Sequence, residues 1–220
     1  MDQKERMLKN LPYKAWMDGL SEERRACQEK LWEFNNLPPE RWEERPALLK
    51  KLLGGLGERS MLLPPLRCDY GTNIFIGEGV EINYNLTVLD VGRVHIGDRV
   101  LIAPNVSIYT AGHPIHPDSR NSAYEYGKAV TIGDNVWIGG NTVICPGVTI
   151  GSNTAIGAGS VVTHDIPDWC VAAGNPCRVI RRITEADRRK LYKNEMIDDE
   201  AWSDIVARGW GGQQASEDRA

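Results

Sequence analysis

The stretch Gly133-Asp134-Asn135-Val136-Trp137-Ile138-Gly139-Gly140-Asn141-Thr142-Val143-Ile144-Cys145-Pro146-Gly147-Val148-Thr149-Ile150-Gly151 decides the fold. Isoleucines return every six residues at 138, 144 and 150, and Val136, Thr142 and Val148 keep a second small or β-branched slot in phase with them. Outward in both directions the same slot is held by Ile132, Ile156 and Val162, and earlier by Ile76, Ile82, Val88, Ile96, Ile102 and Ile108. The rhythm breaks twice, by a two-residue slip before Ile96 and by a long excursion over 114–131. A period of six fits neither a 3.6-residue helix nor an alternating strand. It is the signature of a parallel β-helix in which each hexad forms one flat side of a coil. One short strand cannot bury its inward aliphatic, but stacked coils join these residues into a continuous column. Turns of a β-sandwich do not recur in fixed phase with isoleucine. Three hexads per coil place four coils at roughly 76–93, 96–113, 132–149 and 150–167. Gly and small polar residues between hexads, as in Gly97-Asp98 and Gly133-Asp134-Asn135, are expected to give the corners their backbone freedom.

The flanks are of another kind. Residues 1–60 read as a helical cap subdomain, with Ser21 as the expected N-cap and Leu20, Cys27, Leu31 and Phe34 on one helix face. Pro46 kinks or begins a second helix, whose Leu48, Leu49, Leu52 and Leu53 form its apolar side. Such a cap suits the open end of a β-helix, which otherwise exposes unpaired backbone and apolar surface. The β-helix domain is assigned to 61–183, with the excursion as a candidate functional loop. Over 184–220 the sequence predicts a short helix from Thr184 to about 193 and a disordered tail beyond Gly211.

Composition narrows the function classes. With 26 Lys and Arg against 30 Asp and Glu the net charge is −4, which points to neither nucleic acid nor a membrane surface. No apolar run approaches the roughly 18 residues of a membrane span. The start, Met1-Asp2-Gln3-Lys4-Glu5-Arg6, lacks a signal-peptide core. Five cysteines without a C-x-x-C pair favour a reducing compartment, so the expected location is cytoplasmic.

Of four histidines, His113 stands out, because Thr110-Ala111-Gly112-His113-Pro114 places an imidazole where rigid coil meets loop. A surface-loop histidine is the plain alternative. His95, His113 and His116 are the possible metal ligands, but His95 should point outward beside inward Ile96, and no Cys or carboxylate cluster accompanies them. The reading is therefore no metal.

These residues resemble a known family. Arg67-Cys68-Asp69-Tyr70-Gly71, Asn83-Tyr84-Asn85, Thr110-Ala111-Gly112-His113-Pro114, Gly133-Asp134-Asn135-Val136-Trp137-Ile138-Gly139-Gly140, Pro146-Gly147-Val148-Thr149-Ile150-Gly151 and Ala173-Gly174-Asn175-Pro176 are similar to the hexapeptide-repeat sugar O-acetyltransferases, the maltose and galactoside acetyltransferase group. Glu33-Phe34-Asn35 resembles that group's helical cap, and the likeness covers roughly 5–183. It implies a mainly β fold, a single-stranded left-handed parallel β-helix, assembled as a homotrimer with active sites at subunit interfaces. It implies acetyl-CoA as co-substrate and a small sugar as acceptor.

Carried over position by position, His113 is the general base and Glu125 a candidate to orient it. Asp69, Asn83 and Asp90 fall in the acceptor-binding set. The Gly140 N–H matches the oxyanion donor, a contribution of about 3 kcal/mol. Trp137, Ala158, Thr163 and His164 match positions along acetyl-CoA, and Arg178 and Arg181 would face its phosphates. Ala15 and Val91 stand where the galactoside enzymes carry acidic residues, which leaves the acceptor open. Alternatives are the same chemistry on an amino-sugar, serine or xenobiotic hydroxyl, or a non-catalytic binding module.

Overall fold

The computed structural model describes residues 1–209, and the tail assigned to disorder lies outside them. Met1–Ile180 form one compact unit and a second begins at Arg181.

The first unit opens with helices α1 (Gln3–Leu8), α2 (Leu20–Asn35) and α3 (Arg45–Leu52). Five full coils follow. They comprise β1 (Gly55–Leu56), β2 (Met61–Leu62) and β3 (Leu66–Cys68); β4 (Ile74–Ile76), β5 (Glu81–Ile82) and β6 (Leu86–Leu89); β7 (Val94–Ile96), β8 (Leu101–Ile102) and β9 (Ser107–Tyr109); then, past an excursion, β12 (Val130–Ile132), β13 (Trp137–Ile138) and β14 (Val143–Ile144); and β15 (Thr149–Ile150), β16 (Ala155–Ile156) and β17 (Val161–Val162). Stacked in parallel register they make three faces: β1-β4-β7-β12-β15, β2-β5-β8-β13-β16 continued by β18 (Cys170–Ala173), and β3-β6-β9-β14-β17. All twelve Ile and Val of the six-residue rhythm are buried.

One coil escaped the sequence reading. The β-helix starts at Gly55, because Leu56, Leu62 and Cys68 occupy the repeat's slots with residues other than Ile or Val. Leu62 and Cys68 are buried in the same column. The cap closes this coil directly: Cys27, Leu31, Phe34, Leu48, Leu49 and Leu52 belong to the same apolar cluster as the coils. Asn35 grips Leu66, its Nδ2 donating to Leu66 O and its Oδ1 accepting from Leu66 N, both at 2.8 Å. That pairing satisfies backbone which an end coil would leave bare. Helix α2 begins one residue ahead of the expected cap, after Gly19 at φ 85°, while Ser21 Oγ accepts from Arg24. Glycine alone takes that left-handed entry without cost, and it lets Leu20 bury completely.

The corners follow the expectation in part. Left-handed backbone falls on Asn85, Asn105, Asn135, Asn141 and Asn153, whose short side chains tolerate it, and on glycines such as Gly79, Gly147 and Gly159. Gly97, Gly133 and Gly151 are needed for close approach instead: a Cβ there would collide with Asp134, Ser152 and Asp168 of the next coil. Those side chains form a ladder in which Asp98 accepts from Glu78 N, Asp134 from Asp98 N, Ser152 from Asp134 N and Asp168 from Ser152 N, at 2.8–3.0 Å.

The excursion is folded. Ala111–Gly112 (β10) and Tyr126–Gly127 (β11) pair antiparallel at its base, and helix α4 (Pro117–Asn121) lies in its arch. In the second unit the helix expected over 184–193 is absent. Thr184 instead caps a single turn at Glu185–Asp187, and strands β20 (Lys190–Tyr192) and β21 (Glu195–Met196), numbered after the edge strand β19 (Arg178–Arg182), form a hairpin. Lys193, at φ 51°, makes the turn that diverts the chain. The helix comes later, as α5 (Asp199–Ala207), with the Asp198 side chain accepting from Ala201 N.

Candidate active site

Site residues gather at two different edges of the prism. At the edge joining the third face to the first, the excursion leaves the coils and presents His113 one residue past β10. Asp69 and Asp90 lie at the same edge in the coils below, after β3 and β6. Asp90 is fully buried, and its Oδ1 accepts from the N–H groups of Asp69 and Tyr70, each at 2.9 Å. Its Oδ2 has no partner among the described residues. Burial raises the Asp90 carboxyl above its ordinary range despite those two donors. Burial first, then the neighbouring Asp90 charge, pushes Asp69 up to about 6, while Arg24 pulls the other way. Arg24 Nη1 donates to the Tyr70 hydroxyl at 2.7 Å.

Glu125 joins this edge through the excursion's return strand. Its carboxylate accepts from the Tyr13 hydroxyl at 3.1 Å rather than from the imidazole, and His113 is exposed with no hydrogen bond among the described residues. Tyr13 is buried, and burial and the Glu125 charge raise its hydroxyl far above the usual tyrosine range, so it is a neutral donor. Tyr13 and Arg24 were not legible in the sequence: 112 residues separate Tyr13 from Glu125, and no spacing or periodicity links them.

The second edge, between the second and third faces, carries Asn83, Gly140 and Ala158 at corresponding corners of the second, fourth and fifth coils. Gly139 N and Asn141 N donate to Ile156 O and Pro104 O at 2.8 and 3.0 Å, whereas Gly140 N has no acceptor among the described residues. Asn83 and Trp137 line one hollow of about 230 Å³ on the second face, with Met61, Leu101 and Ala103. Trp137 is 58% exposed in a row with Leu101 and Ala155. About six residues of the third face separate the edges, some 20 Å at strand rise, too far for one chain to hold a reacting group between His113 and the Gly140 N–H.

Toward the last coil, His164 and Arg178 line a hollow of about 560 Å³ with Asp165 and Cys177, and Thr163 Oγ1 lies 2.8 Å from His164 Nδ1. Arg181 is committed elsewhere, bonded to Asp187 at 2.7 Å, and that guanidinium holds the Asp187 carboxyl well below its usual range. His95 points outward on the first face between Phe75 and Thr131, and His116 Nδ1 accepts from Asp118 N to cap α4. Among the described residues no three His, Cys, Asp or Glu side chains converge as a metal's ligand set requires.

Comparison with known proteins agrees with this geometry. The maltose acetyltransferase hexapeptide capping motif matches residues 6–57, and the bacterial transferase hexapeptide pattern of six repeats matches 129–164. The chain is 44% identical over 181 residues to a galactoside O-acetyltransferase of Escherichia coli, covering 82% of this chain and 89% of that one. A solved maltose O-acetyltransferase of Clostridium difficile superposes with TM-score 0.83 at 51% identity, over 84% of this chain and 99% of the other. A galactoside acetyltransferase solved in complex with coenzyme A gives TM-score 0.87 at 44% identity, over 90% and 99%. A polar edge with a loop-borne histidine, an unspent N–H on another edge and relatives of this closeness lead to one conclusion: the chain belongs to the hexapeptide-repeat O-acetyltransferases of the maltose and galactoside type, enzymes of the acyltransferase class.

Proposed function

We propose that this enzyme moves an acetyl group from acetyl-CoA to a hydroxyl of a maltose- or glucose-type sugar, in sites completed between copies of the chain. The observation that carries the reading is the division of the machinery: His113 at one edge, and the unspent Gly140 N–H with Asn83 at another. A homotrimer brings one copy's first edge against the next copy's second, as closed rotational symmetry requires. His113 takes the proton from the sugar hydroxyl as its oxygen attacks the thioester carbonyl. The tetrahedral oxyanion accepts the Gly140 N–H of the adjacent copy, a hydrogen bond that costs no reorganisation during the reaction. Collapse breaks the C–S bond, and the imidazolium returns its proton to the leaving CoA sulfur.

Asp69 at the base's edge and Asn83 across the interface pair with sugar hydroxyls, whereas Asp90, expected from the sequence in the same set, is buried beneath Asp69 and holds the Asp69 and Tyr70 backbone in place instead. Trp137 and Ala158 flank the pantetheine arm, and His164 and Arg178, with Thr163 bonded to His164, line the hollow for the nucleotide end. His113→Ala should reduce transfer, followed by free-thiol release from acetyl-CoA, to background with circular dichroism and assembly unchanged. Retention of most activity by that variant would falsify the assignment.

A further inference from the structure

The excursion's base is wider than a two-stranded hairpin. Ala111 pairs with Gly127 and Gly112 with Tyr126, so the next position outward sets His113 across from Glu125. On its other side Glu125 makes an antiparallel bridge with Tyr13, with Tyr13 N to Glu125 O at 3.0 Å and Glu125 N to Tyr13 O at 2.9 Å. Residues directly opposite one another in antiparallel strands put their side chains on the same side. Tyr13, Glu125 and His113 therefore form one row across three strands. Along it exposure rises from a buried phenol, through a partly buried carboxylate, to an exposed imidazole. The phenol donates to Glu125 Oε2 at 3.1 Å, and Oε1 has no partner among the described residues. Nothing but the Tyr13 hydroxyl ties this carboxylate's rotation.

We infer that Tyr13 is a positioning residue for the transfer reaction, holding Glu125 so that its free oxygen can receive the His113 N–H. The N-terminal segment is then part of the active-site wall as well as a lid on the β-helix. The inference rests on His113 being the general base. A carboxylate fixed beside the ring selects its tautomer, leaving the other nitrogen to take the sugar proton, and stabilises the imidazolium that forms. A freely rotating carboxylate does neither reliably. The surrounding packing does not need the hydroxyl, since the Tyr13 ring sits among Met7, Leu20, Tyr70 and Val91.

A double-mutant cycle on the full-length chain tests this. Tyr13→Phe keeps the ring and removes the donor; it should lower kcat about tenfold while the KM for acetyl-CoA and the melting temperature stay at wild-type values. Glu125→Ala should lower kcat at least as far, and adding Tyr13→Phe to it should change kcat less than twofold. Wild-type kcat in Tyr13→Phe, or losses that multiply in the double variant, overturns the inference. Should Glu125→Ala fail to fold, Glu125→Gln carries the comparison: it keeps the shape, loses the charge, and should match the loss of Tyr13→Phe or exceed it. His113→Ala, run alongside, separates the two claims. An inactive His113→Ala with a multiplicative cycle removes Tyr13 from the mechanism and leaves the base in place, whereas an active His113→Ala removes the base itself.

Discussion

Asp69 and Asp90 show how two single residues tie the site to the stability of the fold. Both carboxyls titrate above the ordinary range in the folded chain, Asp69 at about 6, so the folded state holds their protons more tightly than the unfolded chain does. The stability that Asp69 contributes is present below about pH 4 and is lost as pH rises through about 6. For Asp69 the two-unit interval corresponds to at most about 3 kcal/mol. Asp69→Asn has no such charge to develop. Its urea midpoint should gain on wild type as pH rises from 4 to 6, and two curves that stay parallel would show that the Asp69–Asp90 pair does not repel as inferred. In the proposed reaction, the same desolvation that costs stability strengthens a hydrogen bond between the Asp69 carboxyl and a sugar hydroxyl. Asp90 fixes the backbone of Asp69 and Tyr70 through one oxygen and so stiffens this edge.

At the scale of elements, the hairpin at the foot of the excursion matters most. Tyr126 lies across Gly112, and any Cβ at Gly112 would fall inside its ring. Gly112→Ala must push that ring aside and splay β10 from β11, at about 1–3 kcal/mol of stability. Because His113 follows directly, kcat should fall more than tenfold while the KM for acetyl-CoA, bound mainly by other coils, holds steady. Urea unfolding together with steady-state kinetics reads both effects, and an unchanged kcat would show that the hairpin does not set the position of the base. The coil corners obey a related rule. Their glycines were legible as glycines, but the reason for them, the approach of the next coil's ladder, became visible only when the coils were stacked.

On the scale of the whole molecule, the proposed division of the machinery between two edges makes complementation between copies its test. A chain with His113→Ala still offers an intact second edge, and a chain with Asn83→Ala still offers an intact first edge. Co-assembled at equal amounts as trimers, three quarters of the particles are mixed and each has one fully intact interface of three, so about a quarter of wild-type activity should return. Each variant alone should stay near background. No recovery in mixed trimers isolated by dual tags would place both residues in one chain's site. The exposed Met61, Leu101 and Trp137 on the second face supply apolar surface for such a contact.

What the sequence determined by itself was the solenoid. A side chain that must point inward every sixth residue is a local constraint, so the column from Ile76 to Val162 was legible without coordinates. His113 was legible as well, because it stands where that rhythm stops, and Asn83, Gly140 and Trp137 came from motif likeness. The first coil was not, since leucine and cysteine fill its slots and leave no periodic mark. The C-terminal helix was misplaced because a capped turn and a left-handed Lys193 outweighed helix propensity there. Only the tertiary structure decided that Tyr13 touches Glu125, that Asp90 is buried beneath Asp69, and that His113 and Gly140 occupy different edges. Those relations depend on chain segments meeting across tens of residues, where packing rather than local pattern selects the neighbours.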